Sequence, residues 1–292
     1  MAHTPVSLVT GATSGIGEVT ARELARRGMH VVIVGRNRER TAATVARIKQ
    51  ATGVDVEPLI ADLSSQAGVR SVAEAFAQRH TRLDVLVNNA GGFFASRQVS
   101  ADGIEMTWAL NHMSYFLLTN LLLDTLRASA PARVVNVSSD AHRNGRMRWD
   151  DLQFSRGYNG WAAYAQSKLA NILFSNELAR RLEGSGVTSN ALHPGFVATR
   201  FAHNNGALWG GLMALMQRLW AISPEEGAQT SIYLATAPEV ATVSGRYFVK
   251  SRATSPAPQA QDMDAAARLW EISERMLVNS APVPQGGAHS PA

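Results

Sequence analysis

The sequence predicts an α/β fold, a doubly wound parallel sheet of about seven strands with helices on both faces. Three observations predict it. Short β-branched runs alternate with helix-length segments from Val6 to Val249. A glycine-rich turn, GATSGIG, joins the first strand to the first helix. Later strands end in polar or glycine-bearing clusters, NNAGG, Ser138-Ser139 and HPG.

Each element follows from its local pattern. Val6 to Thr10 is a buried strand that stops at Gly11, and Glu18 to Arg27 is a helix ending near Gly28. His30 to Val34 is strand two, Arg38 to Gln50 a helix and Val54 to Ile60 strand three. A helix from about Ser64 to His80 leads to strand four, Leu83 to Val87. A long helix is expected over Asp102 to Ser129, with Asn111 inside it. Arg133 to Val137 is strand five, and a polar loop follows over Asp140 to Gly160. Trp161 to about Glu183 is helical, Val187 to Leu192 is strand six, and Pro224 opens a helix to about Thr236. Ser244 to Val249 reads as strand seven and Asp262 to Val278 as an amphipathic helix. One domain is expected over 1–279, because no linker composition appears before about residue 250. Residues 280–292, with their Pro, Gly, Ser and Ala, read as a disordered tail.

Bulk composition removes several function classes. The net charge is +5, but the arginines are scattered and no aromatics interleave with them, so no nucleic-acid partner is expected. There are no cysteines, which excludes disulfides, thiolate zinc sites and a cysteine nucleophile, and fits a reducing compartment. No charged leader precedes a long apolar run, and Leu117 to Leu123 is too short to span a bilayer. A cytoplasmic protein without a membrane anchor is the expectation. The eight histidines show no HExxH or other metal spacing, so no metal site is expected, and no G-x-S-x-G elbow supports a serine hydrolase.

Two constellations carry chemistry. Gly11, Gly15 and Gly17, with Thr13, Ser14 and Ile16 between them, sit where a strand turns into a helix. Glycine permits the positive-φ turn, and the helix N-terminus offers free N–H groups to phosphates. The spacing G-x-x-x-G-x-G differs from the usual dinucleotide fingerprint, and the Gly-Lys-Ser/Thr of a nucleoside-triphosphate loop is absent. Strand two ends in Gly35-Arg36-Asn37-Arg38, where an NAD site carries a carboxylate for the ribose hydroxyls. Two cations and no carboxylate point to NADP(H), with Arg36 as the phosphate ligand and Arg38 open to a merely solvated role. Asp62 and Leu63 could bracket the adenine, or Asp62 could cap a helix. In WAAYAQSKLANILF, Tyr164 and Lys168 stand one helical turn apart on one face. A cation there favours the phenolate, which makes the pair a candidate proton-transfer device.

Taken together, TGATSGIG, NNAG, Ser139, the Tyr164/Lys168 pair and HPG resemble the short-chain dehydrogenase/reductase family over about Val6 to Val249. RVVNVSSDAH, YAQSKLANILF and RLWEIS resemble its retinol-dehydrogenase-like branch, and protochlorophyllide reductases look similar. The resemblance implies a Rossmann-type domain, a nicotinamide cofactor and an Asn–Ser–Tyr–Lys catalytic set. By it, Tyr164 is the general acid or base, and Lys168 tunes the tyrosine and binds the nicotinamide ribose. Ser139 rather than its neighbour Ser138 stabilises the substrate oxygen, and Asn111 holds a water that leads to the lysine. Asn89, Ala90 and Gly91 close the cofactor groove, while Pro194, Gly195, Val197 and Thr199 meet the carboxamide and pyrophosphate. It also implies a homodimer or homotetramer.

The substrate side is framed by the loop Asp140 to Gly160 and by the apolar, Gly-broken segment Phe201 to Ile222, which reads as a lid or as a packed helix. The expected activity is NADP(H)-dependent hydride transfer between nicotinamide and a hydrophobic aldehyde, ketone or alcohol. A nucleotide-sensing regulator on the same fold, and a sugar-nucleotide epimerase, are the alternatives.

Overall fold

The computed structural model describes residues 4–195 and 222–279. The expected nicotinamide contacts Val197 and Thr199, nearly all of the lid-like segment and the 280–292 tail lie outside them.

The first half alternates as expected: β1 (Val6–Thr10), α1 (Gly15–Arg26), β2 (His30–Gly35), α2 (Arg38–Thr52), β3 (Glu57–Ile60), α3 (Gln66–Ala77) and β4 (Val85–Asn88). A helical stretch follows in pieces: α4 (Met106–Trp108), a π-turn (Ala109–Met113), α5 (Ser114–Leu121) and α6 (Leu123–Ala128). Then come β5 (Ala132–Val137), α7 (Gly160–Arg181), β6 (Val187–His193), α8 (Pro224–Thr236), β7 (Tyr247–Val249), β8 (Arg252–Ala253) and α9 (Met263–Asn279). The strands form one sheet in the order β3-β2-β1-β4-β5-β6-β7-β8. All pairings are parallel except β7 with β8. The two-residue β8 is an eighth strand beyond the seven expected.

Alternation along each strand builds the two faces. Leu8, Val32 and Val34 point into a core with Phe76, Phe116 and Phe174, on the side of α3, α5 and α7. Val9, Val31 and Ile33 point the other way, onto Leu24, Ile48 and Leu234 of α1, α2 and α8. Strands covered on both faces read as continuous apolar runs, which is why no two-residue period marks them.

Boundaries differ from expectation for identifiable reasons. Strand β3 begins at Glu57 rather than Val54, because Gly53 (φ 74°) ends α2 in a left-handed cap and the chain needs residues to turn back. The long helix begins at Met106 rather than Asp102. Gly103 takes φ 73°, and the Glu105 carboxylate accepts the Thr107 and Trp108 N–H groups as the cap. Side chains also cap α2 (Asn37), α3 (Ser65), α7 (Asn159) and α8 (Ser223). At α1 the N-cap residue is Ser14, and its side chain makes no capping hydrogen bond.

Candidate active site

Parallel strands bring the ends of β1, β2, β4, β5 and β6 to one edge. The strand order reverses direction between β1 and β4, and a crevice opens at such a switch point. Here a continuous groove of about 410 Å³ runs along that edge. Gly11, Thr13, Ser14, Ile16, Gly17, Arg36, Asp62 and Leu63 line one part of it, and Ser139, Tyr164, Lys168, Pro194 and Gly195 the other, with Asn89, Ala90 and Gly91 between. The described sequence-expected site residues line this groove except Gly15, whose neighbours Ser14 and Ile16 do, and Asn111, which hydrogen-bonds Gly92 just beyond the lining residue Gly91. A larger hollow of about 900 Å³ lies at the opposite edge, by the start of β6 and β7, remote from these groups.

The glycine turn fits a phosphate-bearing ligand. Gly11 (φ 64°) and Gly15 (φ 57°) occupy the left-handed region. A Cβ on Gly11 would meet Ala90 Cα at 2.7 Å, and one on Gly17 would meet Asn89 Nδ2 at 2.5 Å. Asn89 braces the turn by donating to the carbonyls of Thr10 (2.8 Å) and Gly11 (3.2 Å). The Thr10 hydroxyl in turn accepts the N–H groups of Asn89 and Ala90. The first turn of α1 therefore presents its N–H groups to the groove, with its dipole favouring an anion.

Arg36, just past β2, is 68% exposed, and its guanidinium stands 3.9 Å from the Asp62 carboxylate. Asp62 is not the α3 cap, a place taken by Ser65, but it braces the turn before that helix. Its Oδ1 accepts from the Ser64 N–H and hydroxyl, as a turn cap, and its Oδ2 faces Arg36. The charge at this edge is a loose pair rather than a lone cation.

The catalytic candidates are buried. Tyr164 and Lys168 lie on α7 with 8% and 3% exposure. The Tyr164 phenol is hydrogen-bonded to Ser139, and burial pushes its pKa up to about 12 against that bond. This departs from the expectation that Lys168 lowers it. Lys168 Nζ donates instead to Val137 O at 3.1 Å and stands 5.7 Å from the Tyr164 ring centre. Burial pulls the Lys168 amine down to about 7. The two serines separate clearly. The Ser138 hydroxyl is spent on the Lys168 carbonyl (2.7 Å), whereas Ser139 turns to Tyr164.

Asn111 sits in the π-turn, fully buried. Its Oδ1 accepts from Gly92 N (2.8 Å), and its Nδ2 donates to Gly92 O (3.0 Å) and Ser167 Oγ (3.0 Å). It thus clamps the loop after β4 to α7. It also borders the lysine: a Cβ on Gly91 would lie 3.2 Å from Asn111 Oδ1 and 3.6 Å from Lys168 Nζ.

Two histidines, His142 and His193, bracket Ser139. His142 donates from Nδ1 to Ser139 O (2.7 Å), and its Nε2 accepts the Ala257 N–H (3.0 Å). His193 Nδ1 accepts the Asp140 N–H (3.1 Å). Each ring spends its basic nitrogen on a backbone donor, and burial lowers both pKa values. Neutral imidazoles thus fix the backbone on either side of the Ser139 hydroxyl. The long sequence separation from Ala257 hides this. The apolar mouth of the groove is formed by Phe94, Met106, Leu110 and Trp161.

Comparison with known proteins agrees with this geometry. The short chain dehydrogenase family model matches residues 5–207. Human retinol dehydrogenase 13 is 45% identical over 282 residues, which span 94% of this chain and 85% of the relative. A crystal structure of an uncharacterised Mycobacterium paratuberculosis protein superposes with a TM-score of 0.76 at 34% identity, covering 96% of this chain and 95% of that one. The Pseudomonas aeruginosa RhlG/NADP active-site complex superposes with a TM-score of 0.66 at 34% identity, covering 84% and 93%. The chain belongs to the short-chain dehydrogenase/reductase family, as an oxidoreductase of alcohols and carbonyls. Within the family it falls in the retinol-dehydrogenase-like branch.

Proposed function

We propose that this protein is an NADP(H)-dependent reductase of hydrophobic aldehydes or ketones, reversible toward the alcohol. The observation that carries the reading is the continuity of the groove from the glycine turn to the Tyr164–Ser139 hydrogen bond. A bound nicotinamide supplies or accepts the hydride. The glycine turn and the α1 N-terminus would hold the pyrophosphate, and Arg36 at the end of β2 would pair with the 2′-phosphate. Asp62, 3.9 Å from the Arg36 guanidinium, would moderate that charge.

Tyr164 gives its proton to the carbonyl oxygen as the hydride arrives at carbon. The Ser139 hydroxyl donates to the same oxygen and stabilises the charge growing there. A phenol held near 12 stays protonated at neutral pH and is ready to act as the acid in reduction. Lys168 gates the reaction by its charge: as the ammonium it stabilises the phenolate left after proton transfer. Asn111 keeps the lysine side of the pocket in place through Gly92 and Ser167.

Phe94, Met106, Leu110 and Trp161 at the mouth support an apolar substrate, as does the name of the retinol dehydrogenase relatives. The NADP carried by the RhlG structure supports the cofactor choice. A cytoplasmic setting and a homodimer or homotetramer belong to the same reading; among the described residues no helix is long and apolar enough to cross a membrane. The test uses NADPH deuterated at the nicotinamide C4 with a panel of apolar aldehydes and ketones. Deuterium is expected on the carbinol carbon of the product, and turnover of no apolar carbonyl in the panel would overturn the proposal.

A further inference from the structure

At the edge of the sheet opposite the groove, three chain segments bring metal-ligating atoms together. His30 opens β2, Glu57 opens β3, and His80 lies three residues past α3. Glu57 Oε2 is 2.9 Å from His80 Nε2 and 3.4 Å from His30 Nε2, and all three ligand atoms lie within 4.8 Å of one another. We propose that His30, Glu57 and His80 form a divalent transition-metal site whose natural occupant is Zn²⁺, independent of the proposed hydride-transfer activity.

Four features support it. The donor set, two imidazoles and one carboxylate, is one that zinc takes with a water in the fourth position. With metal–ligand bonds of about 2.0–2.2 Å, tetrahedral ligands stand roughly 3.3–3.5 Å apart, close to the two separations seen here. Both histidines approach one carboxylate oxygen through the same ring nitrogen, so one ion between them replaces two hydrogen bonds with little movement. The rings are also pre-positioned. His80 packs against Phe76 with ring centres 4.8 Å apart and against His30 at 5.0 Å. The side chains of His80 and Glu57 are only 13% and 20% exposed, while His30, at 41%, leaves a way in from solvent.

Arg79 is the opposing influence. Its guanidinium holds Glu57 Oε1 at 2.6 Å, fixing the carboxylate so that Oε2 alone faces the histidines. Its charge also weakens cation binding, which sets the expected affinity in the micromolar range. Imidazole donors disfavour Mg²⁺ and Ca²⁺, which prefer all-oxygen sites. A loaded site would tie β2 and β3 to the end of α3 and stiffen the outer edge of the sheet.

The test is calorimetric titration of tag-free protein with ZnCl₂, paired with visible absorption on Co²⁺ loading. One equivalent is expected to bind, with intense four-coordinate cobalt bands and a rise in Tm. His30→Gln and His80→Gln are each expected to weaken binding at least tenfold and to remove the Tm rise, leaving NADPH-linked turnover intact. His30 is the more exposed ligand, so His30→Gln keeps the test usable if His80→Gln disturbs folding. No saturable binding below about 100 μM, or binding that both variants leave unchanged, would overturn the site without touching the proposed reductase function.

Discussion

Around Gly11–Gly17 the groove presents backbone, and around Tyr164 it presents side chains kept out of water. The first end is defined by positive-φ glycines, free N–H groups and one exposed cation, Arg36. The second is defined by a phenol, an amine and an amide with 8% exposure or less. Binding at the first end costs little to prepare, because peptide dipoles are neutral and already oriented. Readiness at the second is expensive. An amine held down to about 7 and a phenol pushed up to about 12 are groups whose charged forms the protein disfavours. The contrast predicts that changes at the catalytic end alter turnover while sparing cofactor affinity, and that changes at the glycine end do the reverse.

The strongest break is Tyr164→Phe. It removes the proton donor and keeps the ring, so carbonyl reduction should fall by about 10³-fold. NADPH affinity, read by fluorescence titration, should stay nearly unchanged; substantial retained turnover would sink the acid role. Next comes Arg36→Ala. Losing a charge-assisted contact should weaken NADPH by about 10–100-fold and leave NADH alone, erasing the preference. Equal affinities for the two cofactors in the unaltered protein would refute the assignment.

The pH profile sharpens the comparison further. Reduction needs the Lys168 ammonium, so kcat/KM should be level below about pH 7 and decline above it. In Lys168→Arg that limb should leave the accessible range, whatever the residual rate, because arginine keeps its charge. An unaltered protein with a flat profile to pH 9 would contradict the role given to the amine.

The smallest effect is on stability. An amine whose folded pKa is depressed, here to about 7 against about 10.4 unfolded, binds fewer protons in the folded state. Its burial therefore costs stability fully below pH 7, less as pH rises, and nothing above the unfolded value. Lys168→Met should raise Tm by a few degrees at pH 6 and lose that advantage toward pH 10, while abolishing activity. A Tm lowered at pH 6 would show that the bond to Val137 O outweighs desolvation.

Local pattern made the sheet, the glycine turn and the Tyr164/Lys168 face legible, because each is written within a few consecutive residues. The resemblance already favours Ser139 over Ser138, and the fold supplies the physical reason. Adjacent strand-end hydroxyls look alike in sequence, and only the structure spends Ser138 on the Lys168 carbonyl. The direction of the Tyr164 shift is not legible in the sequence, because spacing shows a neighbour's charge and not the depth of burial. His142 was invisible in its function, since Ala257 lies 115 residues away. The three-residue cluster at the far edge, where the sequence shows no metal spacing, is hidden for the same reason. His30, Glu57 and His80 are neighbours only once β2, β3 and α3 are stacked side by side.

The wide turn at Ala109–Met113 has a further consequence. A π-turn amounts to one extra residue inserted in an otherwise regular helix. Removing a single residue such as Leu110 would let the helix run on at ordinary pitch, with the segments before and after it still in phase with their surroundings. Within the turn, Asn111 would be displaced from Gly92 and Ser167 by the closing of the extra loop, and the groove would lose the Leu110 side chain. The fold carries, in effect, a one-residue splice whose deletion separates the architecture of the protein from its chemistry.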